Sequence, residues 1–152
     1  MAAKDTAGVI APPPLIFLAG LVAGFILDHV LASPALRPQV AVGLALLALG
    51  FVLMFLGLHE FQKAGTAYQP YKPTARIITT GPFRFSRNPL YLSLTLICAG
   101  FALALGSFWS LALLAPVLIV IRYGVIAREE RYLEAKFGDT YLAYKRSVRR
   151  WL

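Results

Sequence analysis

Four long apolar stretches, separated by shorter polar segments, dominate the hydrophobic pattern of this chain. They run over about Leu15–Leu31, Gln39–Leu58, Leu90–Leu105 and Phe108–Ala127. A helix needs about 20 apolar residues to cross the hydrocarbon of a bilayer, and each stretch therefore predicts a membrane-spanning helix. The third stretch is short, and only Gly106-Ser107 separates it from the fourth. These two spans should form a tight antiparallel hairpin.

The C-terminal part of the chain is amphipathic. Arg128–Phe137 places Tyr132, Leu133 and Phe137 near one face of a helix, and Gly138-Asp139 interrupts the pattern. Aromatic and basic residues alternate after the break, which is typical of a helix in the membrane interface beside anionic lipid. We therefore predict an all-α integral membrane fold with about four transmembrane helices, a hairpin of spans three and four, and a C-terminal interfacial helix.

The composition agrees with a membrane protein. Of 152 residues, 59% are hydrophobic and 14% charged, whereas a soluble domain carries about 25% charged residues. The net charge of +8 comes from basic residues that flank the spans. The orientation of the chain in the membrane therefore explains this charge better than nucleic-acid binding does. We expect membrane lipids as neighbours, no nucleic-acid partner and no obligate protein partner.

The distribution of Lys and Arg predicts the orientation. Five lie in His59–Asn88 and eight in Arg122–Leu152, whereas the first connection holds only Arg37 and the hairpin turn holds none. Basic segments stay on the cytoplasmic side. We expect a bacterial or archaeal cytoplasmic membrane with both termini and the active site on its cytoplasmic face.

A single membrane domain, residues 1–152, accommodates the whole pattern, with two spans in 1–58 and the polar motifs in 59–152. The lone cysteine, Cys98, lies in an apolar run and excludes an intramolecular disulfide. His29 and His59 are expected at opposite membrane faces, so we predict no metal site.

Asn88-Pro89 marks the start of the third span, because Asn favours the N-cap and Pro the first helical turn. The free N–H groups at this helix end favour an anion, and Arg84 and Arg87 come just before it. The pattern fits a bound carboxylate or phosphate. It fits equally an ordinary capped helix with arginines that anchor it at the membrane.

Glu129-Glu130 lies at the end of the fourth span. A carboxylate there can hold an ammonium or sulfonium group, although adjacent helical residues diverge by about 100°, so that only one is expected to face a given pocket. The alternative is a solvated pair bonded to the neighbouring arginines, which are Arg122, Arg128 and Arg131.

Asp28-His29 interrupts the first span. An acid within a membrane span suggests function, such as proton-coupled transport. Its position near the outer end of the span favours an interfacial aspartate instead.

Four polar segments, in order, carry a family resemblance: Phe61–Thr66, Thr79–Tyr91, Glu129–Leu133 and Phe137–Tyr144. The second resembles the motif GPYRxxR(H/N)PxY, the third a double-glutamate motif and the fourth FGxxYxxY. The chain thus resembles the isoprenylcysteine carboxyl methyltransferase and phospholipid methyltransferase superfamily, small multi-span enzymes that use S-adenosyl-L-methionine.

Two positions depart from the family pattern. Asn88 stands where the eukaryotic carboxyl methyltransferases have His, and Val148-Arg149-Arg150-Trp151 lacks the Pro of a Val-Pro-x-Trp ending. The geometry of the tail therefore does not carry over from the family. The N-terminal half is also shorter than in the eukaryotic enzymes, so the identity of the substrate does not carry over either.

The resemblance implies methyl transfer from S-adenosyl-L-methionine, leaving S-adenosyl-L-homocysteine, to a lipophilic acceptor: an isoprenylcysteine carboxylate, a phospholipid amine or a related small lipophile. Residues 59–152 would form the cofactor-binding core. The implied cofactor-binding residues are Ile78, Gly81, Pro82, Phe83, Arg87, Asn88, Pro89, Tyr91, Glu129, Glu130, Tyr141 and Tyr144. Arg122 or Arg128 would hold an acidic substrate group, and Glu130 would accept a proton.

Two other classes of function remain open from the residues. Sterol reductases share a similar C-terminal domain and use NADPH, but they are much larger. A non-enzymatic four-span protein, or a small proton-coupled transporter that uses Asp28, would also fit the hydrophobic pattern.

Overall fold

The computed structural model describes residues 6–32, 34 and 36–152, and within them the chain is helical without strands. The predicted all-α fold is confirmed. The α-helices are α1 (Pro13–Val30), α2 (Val40–Ala64), α3 (Pro89–Leu105), α4 (Phe108–Val120), α5 (Ala127–Phe137) and α6 (Asp139–Ser147). A 3-10 turn, Gly81–Arg84, precedes α3, and a π-helical turn, Ile121–Ile126, joins α4 to α5.

Among the described residues, three helices are long and apolar enough to cross a membrane: Pro13–Val30, Val40–Ala64 and the continuous helix Phe108–Phe137. The fourth apolar helix, α3, has 17 residues, or about 25 Å at 1.5 Å per residue. Large apolar side chains such as Phe51 and Phe55 are exposed on α2, as expected of a surface that faces lipid.

Two predicted boundaries are wrong. The second span does not end at Leu58, because α2 continues through His59-Glu60 to Ala64 and stops only at Gly65, whose φ of 61° gives a left-handed cap. Charged residues do not end a helix that has already left the hydrocarbon. For the same reason the fourth span does not end at Ala127: the π-helical turn carries it into α5. The interfacial helix predicted in the tail is therefore two helices.

α2 and α3 pack closely through glycines that recur every seven residues on α2. A Cβ on Gly43 would lie 2.7 Å from the carbonyl oxygen of Gly100, and one on Gly50 would lie 3.0 Å from that of Ser93. Small residues let membrane helices approach closely. Gly57 continues the stripe against Leu90, next to the start of α3.

Asp28 joins the end of α1 to the hairpin turn. Its carboxylate accepts hydrogen bonds from the Ser107 hydroxyl and, at 3.3 Å, from the backbone N–H of Trp109 in the first turn of α4. A carboxylate at a helix N-terminus is stabilised by the helix dipole. This placement favours an interfacial, structural aspartate over a transport residue.

A cluster of buried apolar side chains lies where α1, α3 and the π-helical turn meet. Its members are Phe17, Tyr91, Cys98, Ile121, Val125 and Ile126. The cluster holds the start of α3 against the π-helical turn, and this arrangement places the two polar motifs opposite each other.

Candidate functional site

A cavity lies at the basic end of the helix bundle, between the start of α3, α5, α6 and the loop of residues 65–80. It is lined by all the predicted cofactor-binding residues except Gly81 and Pro82, namely Ile78, Phe83, Arg87, Asn88, Pro89, Tyr91, Glu129, Glu130, Tyr141 and Tyr144. The two motifs that were far apart in the sequence therefore form one site.

Both glutamates reach this cavity, although the helical spacing predicted that only one would. Glu130 is buried between two guanidinium groups: Arg87 Nη1 lies 3.0 Å from its Oε1, and Arg150 donates from Nε at 2.9 Å and from Nη2 at 2.7 Å. Two neighbouring cations favour the charged form of a carboxyl group. Glu130 is therefore a poor proton acceptor in this arrangement, and its predicted catalytic role stays a prediction.

Glu129 has a different environment. Its Oε1 accepts a hydrogen bond of 2.8 Å from the Tyr91 hydroxyl, and both side chains line the cavity. A neutral tyrosine does not neutralise a carboxylate as an arginine does. Glu129 is therefore the carboxylate of the pair that is available to a cationic ligand group.

Arg87 supplies the opposite charge. Its side chain is only 8% exposed, and its Nε is buried without a hydrogen-bond partner among the residues that the structure describes. An unsatisfied buried donor costs about 1–3 kcal/mol. An anionic group in the cavity next to Arg87 would remove that cost.

Aromatic side chains of α6 form the wall beside this arginine. The Tyr144 hydroxyl donates to the carbonyl of Phe83 at 2.8 Å, which fixes α6 against the 3-10 turn. Burial raises the pKa of Tyr141 to about 12, so this phenol stays neutral at physiological pH. The wall is therefore uncharged and aromatic, which suits the face of a purine ring.

The C-terminal segment is bound to the loop before α3. Arg87 N–H donates to the Arg149 carbonyl at 2.9 Å, and the Asn88 side-chain amide donates to the Arg150 carbonyl at 2.9 Å. Asn88 does occupy the predicted N-cap position, but its side chain makes no capping bond. Ser86, whose hydroxyl accepts from the Asn88 N–H at 3.1 Å, completes this contact.

Two predicted catalytic arginines lie outside the cavity. Arg128 is exposed, and its Nη1 donates to the carbonyl of Gly8 at 2.8 Å. Arg122 borders a separate groove between α3 and the helix Phe108–Phe137, together with Thr95 and Trp151. Of the three residues predicted to be catalytic, Arg122, Arg128 and Glu130, the structure places only Glu130 beside the predicted cofactor-binding residues.

Gly81 and Pro82 do not line the cavity and lie in the 3-10 turn that precedes α3. A Cβ on Gly81 would lie 2.8 Å from Cγ of Glu60, and the Thr80 hydroxyl donates to the Glu60 carboxylate. The positive φ of Gly81, 58°, also favours glycine.

Several lining residues were not found from the sequence. They come mainly from the loop of residues 65–80 and from α5, and include Tyr68, Pro70, Arg76 and Tyr132. Tyr132 had been read only as part of an amphipathic face. Its hydroxyl accepts a hydrogen bond of 3.1 Å from the N–H of Thr74 and so connects α5 to the loop.

The chain is similar to known proteins. A family model of phospholipid methyltransferases matches residues 38–140. An uncharacterized protein of Haemophilus influenzae is 54% identical over 65 residues, which are 41% of this chain and 100% of that protein. The protein-S-isoprenylcysteine O-methyltransferase of Schizosaccharomyces pombe is 30% identical over 108 residues, or 66% of this chain and 46% of that enzyme.

No solved structure matches the chain. The family model, however, spans more than half of the sequence and includes Arg87-Asn88 and Glu129-Glu130, whereas Tyr141 and Tyr144 lie beyond its end. The superfamily resemblance is confirmed, and the chain belongs to the phospholipid methyltransferase family.

Proposed function

We propose that this protein transfers a methyl group from S-adenosylmethionine to a lipophilic acceptor held in the membrane and releases S-adenosylhomocysteine. The observation that carries the proposal is that one cavity is lined by a buried arginine, Arg87, and by a carboxylate, Glu129, which accepts a hydrogen bond from a neutral tyrosine in the described part of the chain. The amino-acid end of the cofactor carries the complementary charges.

The cavity residues fit such a cofactor in three ways. Arg87 would hold its carboxylate, because the buried Nε needs an acceptor. Glu129 would hold its ammonium group, and the aromatic wall with Phe83 and Tyr144 would enclose the adenosine. The bound sulfonium supplies an already activated methyl group, so the protein has only to align the acceptor and exclude water.

The acceptor would reach the site from the bilayer. The groove between α3 and the helix Phe108–Phe137 is lined by apolar side chains such as Leu92 and Leu118, and Arg122 borders it. An arginine at that point suits an acceptor with an acidic group.

The test is calorimetric titration of S-adenosylhomocysteine into the detergent-purified protein, with NADPH as the comparison. We expect saturable micromolar binding of the first and none of the second. Glu129→Gln should weaken binding about 10- to 100-fold, since a hydrogen bond to a charged group contributes about 1.5–3 kcal/mol and each 1.4 kcal/mol is about tenfold in Kd. Glu134→Gln is the matched control, because Glu134 lies on the same helix as Glu129 but pairs with Lys145 of α6.

Binding of NADPH instead, or of neither compound, would overturn the proposal. The acceptor class is then tested with methyl-labelled S-adenosylmethionine. Vesicles that contain phosphatidylethanolamine and a soluble farnesylated cysteine derivative are offered separately, and the product that carries the label identifies the class.

A further inference from the structure

A short N-terminal segment, residues 7–10, lies across the outside of the cavity and is called the strap here. The N–H of Ala7 donates to the carbonyl of Pro70 at 3.2 Å, and Ala7 and Pro70 both line the cavity. The N–H of Ile10 donates to the carbonyl of Gly124 at 3.4 Å. The strap therefore connects the π-helical turn to the loop of residues 65–80.

The guanidinium group of Arg128 holds the middle of the strap. Its Nη1 donates to the carbonyl of Gly8 at 2.8 Å. Gly8 has a φ of 59°, a left-handed conformation that glycine adopts without strain. An exposed arginine of α5 thus binds a backbone carbonyl that lies 120 residues earlier in the chain.

The strap packs against the π-helical turn at Gly124. A Cβ at this position would lie 2.5 Å from Cδ1 of Ile10. Glycine disfavours helical structure, and at this position its lack of a side chain makes room for Ile10. Val9, which precedes Ile10 in the strap, packs against the buried cluster.

The two sides of the cavity are held very differently. On one side, buried ion pairs fix the C-terminal segment through Glu130. On the other side, the loop and the strap are held by hydrogen bonds and by the packing of Val9 and Ile10. Gly8 and Ile10 of the strap are nevertheless exposed. Segments with few buried contacts open at the lowest free energy.

The narrowness of the cavity favours such an opening. Its volume is about 110 Å³, whereas pockets that bury a drug-sized ligand measure roughly 300–1,000 Å³. A ligand that carries both an amino acid and a nucleoside is therefore expected to enter while a wall is moved aside, and the strap, with Gly8 and Ile10 exposed, is the more accessible wall.

We propose that the strap is the gate through which the cofactor enters and leaves, and that Arg128 is the positioning residue that keeps this gate closed. The proposal rests on the proposed function, because it assigns a route to that cofactor. The Arg128–Gly8 contact touches neither Arg87 nor Glu129, the groups expected to bind the ligand. In this proposal the strap closes again over the bound ligand, so the contact is common to the free and the bound protein and controls the rate of opening rather than the affinity.

The test is a kinetic measurement of S-adenosylhomocysteine binding to the full-length immobilised protein by surface plasmon resonance. In Arg128→Ala, the association and dissociation rate constants should both rise about three- to tenfold, while the Kd changes less than about twofold. Arg128→Lys retains a donor and should restore most of the wild-type rates. Arg131→Ala removes an exposed arginine from the same helix and should behave like the wild type.

Hydrogen exchange gives a second readout that needs no ligand. Peptides that contain residues 7–10 and 66–75 should exchange faster in Arg128→Ala than in Arg131→Ala. A purely structural role for Arg128 would lower the thermal stability or the affinity without raising both rates. Unchanged rates, or a weaker Kd with an unchanged association rate, overturns the gate.

The two proposals fail in distinguishable ways. If the wild-type protein does not bind S-adenosylhomocysteine, the proposed function is wrong and the gate has no cofactor to control. If the wild type binds it and Arg128→Ala exchanges it at the same rate, only the gate is wrong.

Discussion

The side-chain amide of Asn88 donates a hydrogen bond of 2.9 Å to the backbone carbonyl of Arg150, 62 residues later in the chain. This contact joins the start of α3 to the C-terminal segment. Arg150 in turn pairs with Glu130 on α5. One amide thus links the three parts of the chain that enclose the cavity.

Asn88→Ala should therefore loosen the C-terminal segment and weaken S-adenosylhomocysteine binding about tenfold or more, since Asn88 also lines the cavity. Calorimetry gives the affinity, and limited proteolysis reports release of the tail. Asn88→His is the matched control, because His keeps a ring N–H donor and stands at this position in the eukaryotic carboxyl methyltransferases. Equal binding by the Ala variant and the wild type would show that the contact is dispensable.

Glu130→Gln should be strongly destabilising. The substitution leaves Arg87 and Arg150 without their shared counter-charge, and loss of one partner from a buried ion pair costs about 3–5 kcal/mol. We expect a clear drop in Tm in detergent. Glu134→Gln is the control, since its pair with Lys145 is about one-third exposed and such pairs contribute about 0–1 kcal/mol. Similar Tm values for the two variants would contradict this account.

The sequence predicted the helices and most of the cavity because both depend on local patterns. Apolar stretches of membrane length identify spans, and the ordered motifs around Arg87-Asn88 and Glu129-Glu130 identify the residues that now line one cavity. Neither result needs knowledge of which helices are neighbours.

The predictions from the sequence were wrong where contacts between distant residues determine the environment of a side chain. Nothing in the sequence around Glu130 shows that Arg87 and Arg150 would neutralise it, because both lie at least 20 residues away. Arg128 resembled a substrate-binding arginine, yet it contacts Gly8 near the other end of the chain. Helix ends were also misplaced, since charged residues such as Glu60 continue a helix beyond the hydrocarbon.

The glycine stripe of α2 should tolerate no large side chain. In Gly43→Leu, the new side chain would meet the backbone of α3, because even a Cβ would lie 2.7 Å from the Gly100 carbonyl oxygen. We expect a loss of about 2 kcal/mol or more, or failure to fold, since overpacking alone costs about 1–3 kcal/mol. Ala48→Leu, on an exposed part of the same helix, should be nearly neutral. Thermal unfolding in detergent compares the two, and equal stability would mean that α2 and α3 do not pack as described.

The Asp28→Asn variant distinguishes the proposed methyltransferase from a proton-coupled transporter. The variant removes the charge that caps α4 beside Ser107 and Trp109, which should cost about 1 kcal/mol, as for other N-terminal caps. The cavity residues lie at the opposite end of the bundle, so the Kd for S-adenosylhomocysteine should stay within about twofold of the wild type. Asn88→Ala is the comparison, because it should weaken binding and leave the α4 cap intact. A normal Tm for Asp28→Asn together with lost proton flux in proteoliposomes would instead make Asp28 the functional residue.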